Sequence, residues 1–243
     1  HYISYIQLGL QLWNKLLEER LPRDKYPDKL FFTYANTVTT IDFAKRYKGH
    51  GWVGIRFQTE PEGGYNDIIL HIRFHQTETR AQQETLGKLG VNLIHSAFYK
   101  ADKPQRIVKY LYDHIDKDLI EIDMINFSGP KFAGVDNRLM SLQLIKNGMT
   151  EAVMFDADGN NQLPAEQLYK KNILTLRGSF RPVTNVNIDM LERSLELFLK
   201  EKGVEKDNTQ VIFEITLSNL LASGELDEQD FMDRARILCS LGY

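Results

Sequence analysis

Apolar residues recur every three or four positions near the start of the chain. Ile3, Ile6, Leu10, Trp13 and Leu17 form one stripe, with Leu16 beside it. That period predicts a helix over residues 2–20 with Trp13 in the core. Leu21–Pro27 is a polar, proline-bearing break, and Phe31–Phe43 reads as a strand or an irregular connection. The pattern then changes to alternation. Gly51–Thr59 and Asp67–His75 flank the turn residues Pro61–Asn66, which predicts an antiparallel hairpin. Ile68, Leu70, Ile72 and Phe74 share one face. His71, Arg73 and His75 share the other, with Arg56 near them across the ladder. His71 and His75 lie about 13 Å apart by strand rise, too far to hold one metal ion between them. Arg80–Tyr99 returns to helical spacing, with His95 among apolar neighbours as a core histidine. Pro104 opens a further helix.

From residue 117 onward, short apolar runs alternate with helical patterns. Leu119–Phe127, Ala152–Phe155, Ile173–Leu176 and Gln210–Leu217 read as strands. Arg138–Lys146, the segment after Asn187, and Asp227–Leu241 read as helices, with Asp227 as an N-cap. Such alternation predicts an α/β fold: a largely parallel sheet with crossover helices, as an open sheet or a partial barrel. The expected organisation is two segments. Residues 1–116 form a smaller α+β segment (helix, antiparallel hairpin, helix). Residues 117–243 form the α/β domain.

Composition narrows the partners. The 243 residues are 42% hydrophobic and carry a net charge of −3. That suits a globular core and gives no support to general nucleic-acid binding. The single cysteine, Cys239, excludes an internal disulfide framework and reads as a small buried hydrophobe. No apolar run reaches the roughly 18 residues of a membrane span, and no signal peptide is visible, so the expectation is a cytoplasmic protein. The start at His1 and the stop just after a helix read as a piece of a longer protein.

The stretch from Ile173 to Arg193 carries the sharpest chemistry. A short strand is broken by Gly178 and Pro182, and a helix follows with Ile188, Leu191, Leu195 and Phe198 one step apart. A strand, loop and helix start can present backbone N–H groups to an anion such as phosphate. Asn185 or Asn187 is the expected N-cap. The run Gly178-Ser179-Phe180-Arg181-Pro182-Val183-Thr184-Asn185-Val186-Asn187 resembles the signature of the adenylyltransferases that act on nicotinate mononucleotide or phosphopantetheine. That signature reads Gly-Ser/Thr-Phe-Asp/Asn-Pro-x-Thr/His-x-Gly-His. The likeness covers about sixteen residues and is degenerate: Arg181, Val186 and Asn187 depart from it. The resemblance implies a nucleotide- or phosphate-binding site at Gly178, Ser179, Arg181, Thr184 and Asn187. Thr184 and Asn187 would hold phosphates, and Arg181 would neutralise charge.

A second run, Ala152–Gly159, is an apolar strand followed by Asp-x-Asp-Gly. It resembles the first motif of the haloacid-dehalogenase-type phosphatases. That likeness implies Mg²⁺ at Asp156 and Asp158, the first as nucleophile and the second as acid/base. Ligands gather beyond the carboxyl ends of parallel strands. Asp156, Asp158, Ser179, Arg181 and Glu214 are therefore expected to converge. Two functions compete. One is a nucleotidyltransferase-like protein taking a small phosphorylated ligand. The other is a non-catalytic interaction or assembly module, with self-association into a homo-oligomer.

Overall fold

The computed structural model describes residues 2–40, 48–222 and 224–242. Residues 41–43 of the Phe31–Phe43 stretch and the side chain of Ile3 lie outside the described part. The chain divides into two compact units, residues 1–153 and 154–243.

The first unit opens with helix α1 (Tyr2–Arg20), followed by β1 (Phe32–Thr39), β2 (His50–Gln58) and β3 (Tyr65–Phe74). Then come α2 (Thr79–Tyr99), α3 (Pro104–Tyr110), β4 (Ile120–Ser128) and α4 (Asn137–Lys146). The predicted hairpin is present: β2 and β3 pair antiparallel, with Ile55 opposite Ile68. The four strands form one sheet in the order β1-β2-β3-β4, and every pairing in it is antiparallel.

This overturns the expected parallel sheet with crossover helices. Strand–helix–strand alternation does not fix strand direction. Between β3 and β4 the chain runs through two helices, α2 and α3, rather than one. The path from Lys100 to Leu119, with α3 on it, returns the chain to the end it left, so β4 enters antiparallel beside β3. The sequence boundary at 116/117 consequently falls inside the first unit, because β4 belongs to its sheet.

Period-2 alternation sends Val53, Ile55 and Phe57 to one face with Ile68, Leu70, Ile72 and Phe74. Leu89 and Leu93 of α2, Ile107 of α3 and Leu144 of α4 complete that core, all fully buried. The opposite face receives α1. A Cβ on Gly54 would lie 3.0 Å from a Leu10 methyl and 3.3 Å from Ile6, so the missing side chain lets α1 lie directly on β2. Among the described residues of the predicted α1 stripe only Ile6 and Leu10 are deeply buried, and the next inward position is Asn14. Trp13 is 63% exposed rather than in the core. His95 is likewise on the surface, stacked on Tyr99 with ring centroids 4.8 Å apart.

The second unit contains β5 (Met154–Phe155), β6 (Asn161–Gln162), α5 (Pro164–Gln167) and β7 (Asn172–Arg177). It continues with α6 (Asn185–Phe198), β8 (Thr209–Glu214), α7 (Leu217–Leu220) and α8 (Glu228–Cys239). β7 and β8 make a two-stranded parallel ladder around α6, and β5 and β6 make a separate antiparallel one. The strand expected at Ala152–Phe155 is thus half of a minimal hairpin. It is not a neighbour of β7.

Candidate functional site

At the carboxyl end of β7, Gly178 extends the parallel ladder by donating its N–H to the Glu214 carbonyl at 3.1 Å. The chain then turns sharply. Phe180 adopts φ +47° and buries its ring, which meets Phe213 edge-on at 5.5 Å. The same ring fills the space over Gly178, where a Cβ would lie 3.1 Å from it. Ser179 and Arg181 are left at the surface.

The groups expected to hold phosphate, Thr184, Asn187 and Arg181, are engaged within the protein. Thr184 is the N-cap of α6, where Asn185 or Asn187 was expected. The Thr184 N–H donates to Asn187 Oδ1 at 2.9 Å. The Asn187 N–H donates to the Thr184 hydroxyl at 3.4 Å and to its carbonyl at 2.9 Å. This is a reciprocal capping box. Asn187, which stands where the adenylyltransferase signature has histidine, is the N3 partner of that box. The amides of Asn185 and Val186 lie outside it.

Arg181 pairs with Asp230 of α8 at 3.1 Å. Asp230 also holds Arg234, one turn further along the helix. Arg234 is 3% exposed and donates to the Ser179 carbonyl at 2.9 Å. The loop is therefore bolted to α8 through a buried guanidinium, with Asp230 shared between two arginines. Sequence reading missed Arg234. Its signal was the Asp230–Arg234 spacing of four on a predicted helix.

Asp156 lies on the β5–β6 turn. Its carboxylate accepts from the Asn160 N–H at 2.8 Å, from Asn160 Nδ2 at 3.1 Å and from Gln162 Nε2 at 2.7 Å. Its main-chain carbonyl receives the Gly159 N–H and the Cys239 thiol. These bonds close an Asp–Gly turn with Gly159 at φ +82°. Asp158 is exposed. Glu214 forms an ion pair with Arg177 at 2.9 Å. Among the described residues no group of three or more His, Cys, Asp or Glu is arranged to hold a metal ion.

A second polar cluster stands on the first unit's sheet, on the face that carries α1. The β3–β4 ladder shifts register at His71/Ile72: His71 faces Met124 and Ile72 faces Ile122. Asp123 is thus the extra residue of a bulge. A bulge re-aims a side chain, and here Asp123 reaches His71 Nδ1 at 2.6 Å. Both are nearly fully buried, and the pairing offsets their desolvation. Because a carboxylate only accepts, Nδ1 of His71 carries the hydrogen and Nε2 faces the other way. That Nε2 lies 3.4 Å from Nδ1 of His50, an exposed residue at the start of β2. Trp52 packs edge-on against His71 at 5.0 Å. In the ladder His50 stands opposite Arg73, which pairs with Glu121 at 3.7 Å. Of these groups the sequence pattern had singled out only His71 and Arg73.

Burial also sets the chemistry of three tyrosines. It pushes the phenols of Tyr34, Tyr65 and Tyr112 above their ordinary value. Tyr112 spends its hydroxyl on the Ile120 carbonyl at 2.6 Å. No helix among the described residues is long and apolar enough to cross a membrane. Compared with family models, with curated proteins and with solved structures, the chain matches none.

Proposed function

We propose that the chain is a non-catalytic assembly module that pairs with a second copy of itself through α1. The observation that carries this reading is the outward face of that helix. Tyr5, Leu8, Leu12, Trp13 and Leu16 are all 45–70% exposed, while Ile6 and Leu10 bury the opposite side. Taking about 200 Å² for each side chain, the patch offers on the order of 600 Å². Patches of that size on a monomer mark interaction surfaces. Two copies would bury about 1,200 Å², the lower edge of a specific interface, so the expected dimer is weak and concentration-dependent.

A second copy fits because the stripe runs the length of the helix with apolar groups at both ends. An antiparallel pair about a two-fold axis sets Tyr5 of one helix against Leu16 of the other. Gly9 sits near the middle of the stripe, and no atom lies within 4 Å of the position its Cβ would take.

The nucleotide-binding alternative draws less support. The hydroxyl and amide meant for phosphates, Thr184 and Asn187, cap α6, and Arg181 is neutralised by Asp230. Light scattering on the full chain across the micromolar range tests the proposal. Wild type is expected to move between monomer and dimer, and the double variant Leu12→Gln, Trp13→Gln to stay monomeric. A wild type that is monomeric throughout, or a dimer indifferent to the substitutions, refutes it. Calorimetric heat with ATP and Mg²⁺ that Arg181→Ala abolishes would restore the nucleotide reading.

A further inference from the structure

We propose that His50 Nδ1 and His71 Nε2 share a divalent transition-metal ion of the zinc class, with Asp123 as the group that orients His71. The two nitrogens are 3.4 Å apart. Two imidazole nitrogens bound at 2.0–2.1 Å with a tetrahedral angle between them are separated by about 3.4 Å. The ring centroids are 5.6 Å apart and the planes are inclined by 54°, so the rings meet nitrogen-first rather than face to face. Without metal, one hydrogen bridges the nitrogens, and the ion takes its place after a small tilt of the exposed ring.

The surroundings are those of a ligand histidine. A metal-binding imidazole characteristically gives its other N–H to a carboxylate, which fixes the tautomer and raises the basicity of the ligating nitrogen. Asp123 does this from the bulge in β4 at 2.6 Å. His50 and His71 sit on adjacent, hydrogen-bonded strands of one sheet, so their spacing is held by the ladder. The nearest cation in the ladder is Arg73, opposite His50, and Glu121 counters its charge. Among the described residues the ion has these two protein ligands, water completes the coordination, and the ion exchanges from the exposed His50 side. Imidazole pairs suit zinc, copper and nickel and do not suit magnesium.

The test is calorimetric titration of the full chain with zinc chloride, with magnesium chloride as control. One zinc ion per chain is expected at micromolar concentrations, together with a rise in Tm and no response to magnesium. His50→Gln, at an exposed position, should keep the circular dichroism spectrum and lose the site. Asp123→Asn should weaken binding by about 10- to 100-fold. Absence of zinc binding by wild type up to millimolar concentration would overturn the proposal. So would His50→Gln binding zinc with unchanged stoichiometry and affinity, which would leave the pair as a simple hydrogen bond. The site lies apart from the outward face of α1, so its loss leaves the self-association experiment unaffected.

Discussion

Replacing Arg234 with methionine tests whether the Gly178–Asn187 stretch is a structural joint. The guanidinium is 3% exposed, and one of its nitrogens bonds the Ser179 carbonyl at 2.9 Å while another holds Asp230. Methionine keeps much of the apolar stem and removes the charge and its donors. Breaking a buried ion pair from one side costs about 3–5 kcal/mol, because the remaining charge stays desolvated. Two facts move the expectation to the lower end. Asp230 keeps Arg181 at 3.1 Å, and its own side chain is 18% exposed. The predicted loss is therefore about 3 kcal/mol, confined to the second unit. At 1.4 kcal/mol per factor of ten, amides of β7, α6 and α8 should exchange roughly 150-fold faster. Hydrogen exchange read by mass spectrometry is the right assay, since the β1–β4 sheet serves as an internal reference in the same sample. An acceleration below about fivefold would mean less than 1 kcal/mol and would refute the joint. Equal acceleration across both units would refute its confinement to the second.

Three further expectations follow from named contacts. Thr184→Ala removes the α6 cap and should cost about 1 kcal/mol, seen as faster exchange at the Asn187 and Ile188 amides; no change there would mean the capping box carries no weight. Gly54→Val drives a side chain into Leu10 and Ile6, lifts α1 from the sheet and should lower the first unit's urea stability by about 1–3 kcal/mol, whereas an unchanged midpoint would show that α1 is not seated on β2. The Glu18 carboxylate accepts from the Tyr65 hydroxyl and from Arg23, which holds it below the usual carboxylate range. Its stabilising contribution is therefore present above the ordinary value of 4.5 and is lost as pH falls through the lower folded value. Tyr65→Phe, followed by α1 exchange against pH, should reduce that acid dependence.

The hairpin was legible because period-2 alternation on both sides of a Gly-rich turn has one physical meaning, and the β2–β3 register bears it out. Asp227 as the cap of α8 was legible for the same local reason: its carboxylate accepts from the Gln229 and Asp230 amides. Strand direction in the main sheet was not. Leu119–Phe127 carries the same apolar pattern whether it enters parallel or antiparallel, and the boundary read at 116/117 set it apart from β3, the strand it pairs with. Trp13 misled for another reason. Helical period places it beside Leu10, but α1 curls its polar Asn14 inward above the sheet and leaves the indole outside. The Asp123–His71 pair lies beyond periodicity altogether, since a bulge inserts one residue and breaks the count of two.

The loss of the parallel sheet removes more than a fold label. Asp156, Ser179, Arg181 and Glu214 were expected to meet because strands of one parallel sheet end on one side. With β5 paired only to β6, Asp156 is not carried on a strand of the parallel ladder, and its carboxylate closes its own turn. What remains at the β7 end is a loop in which the Thr184 hydroxyl, the Asn187 amide and the Arg181 guanidinium each have a protein partner. A ligand there would have to displace those bonds as well as its own water, and would recover only the difference. Two places in the first unit ask for less. The α1 face is apolar surface already in water, and covering it releases that water. The His50–His71 pair holds two ring nitrogens at a metal-ligand separation on a rigid ladder. The chemistry of this chain is therefore sought on the antiparallel sheet and the helix that crosses it.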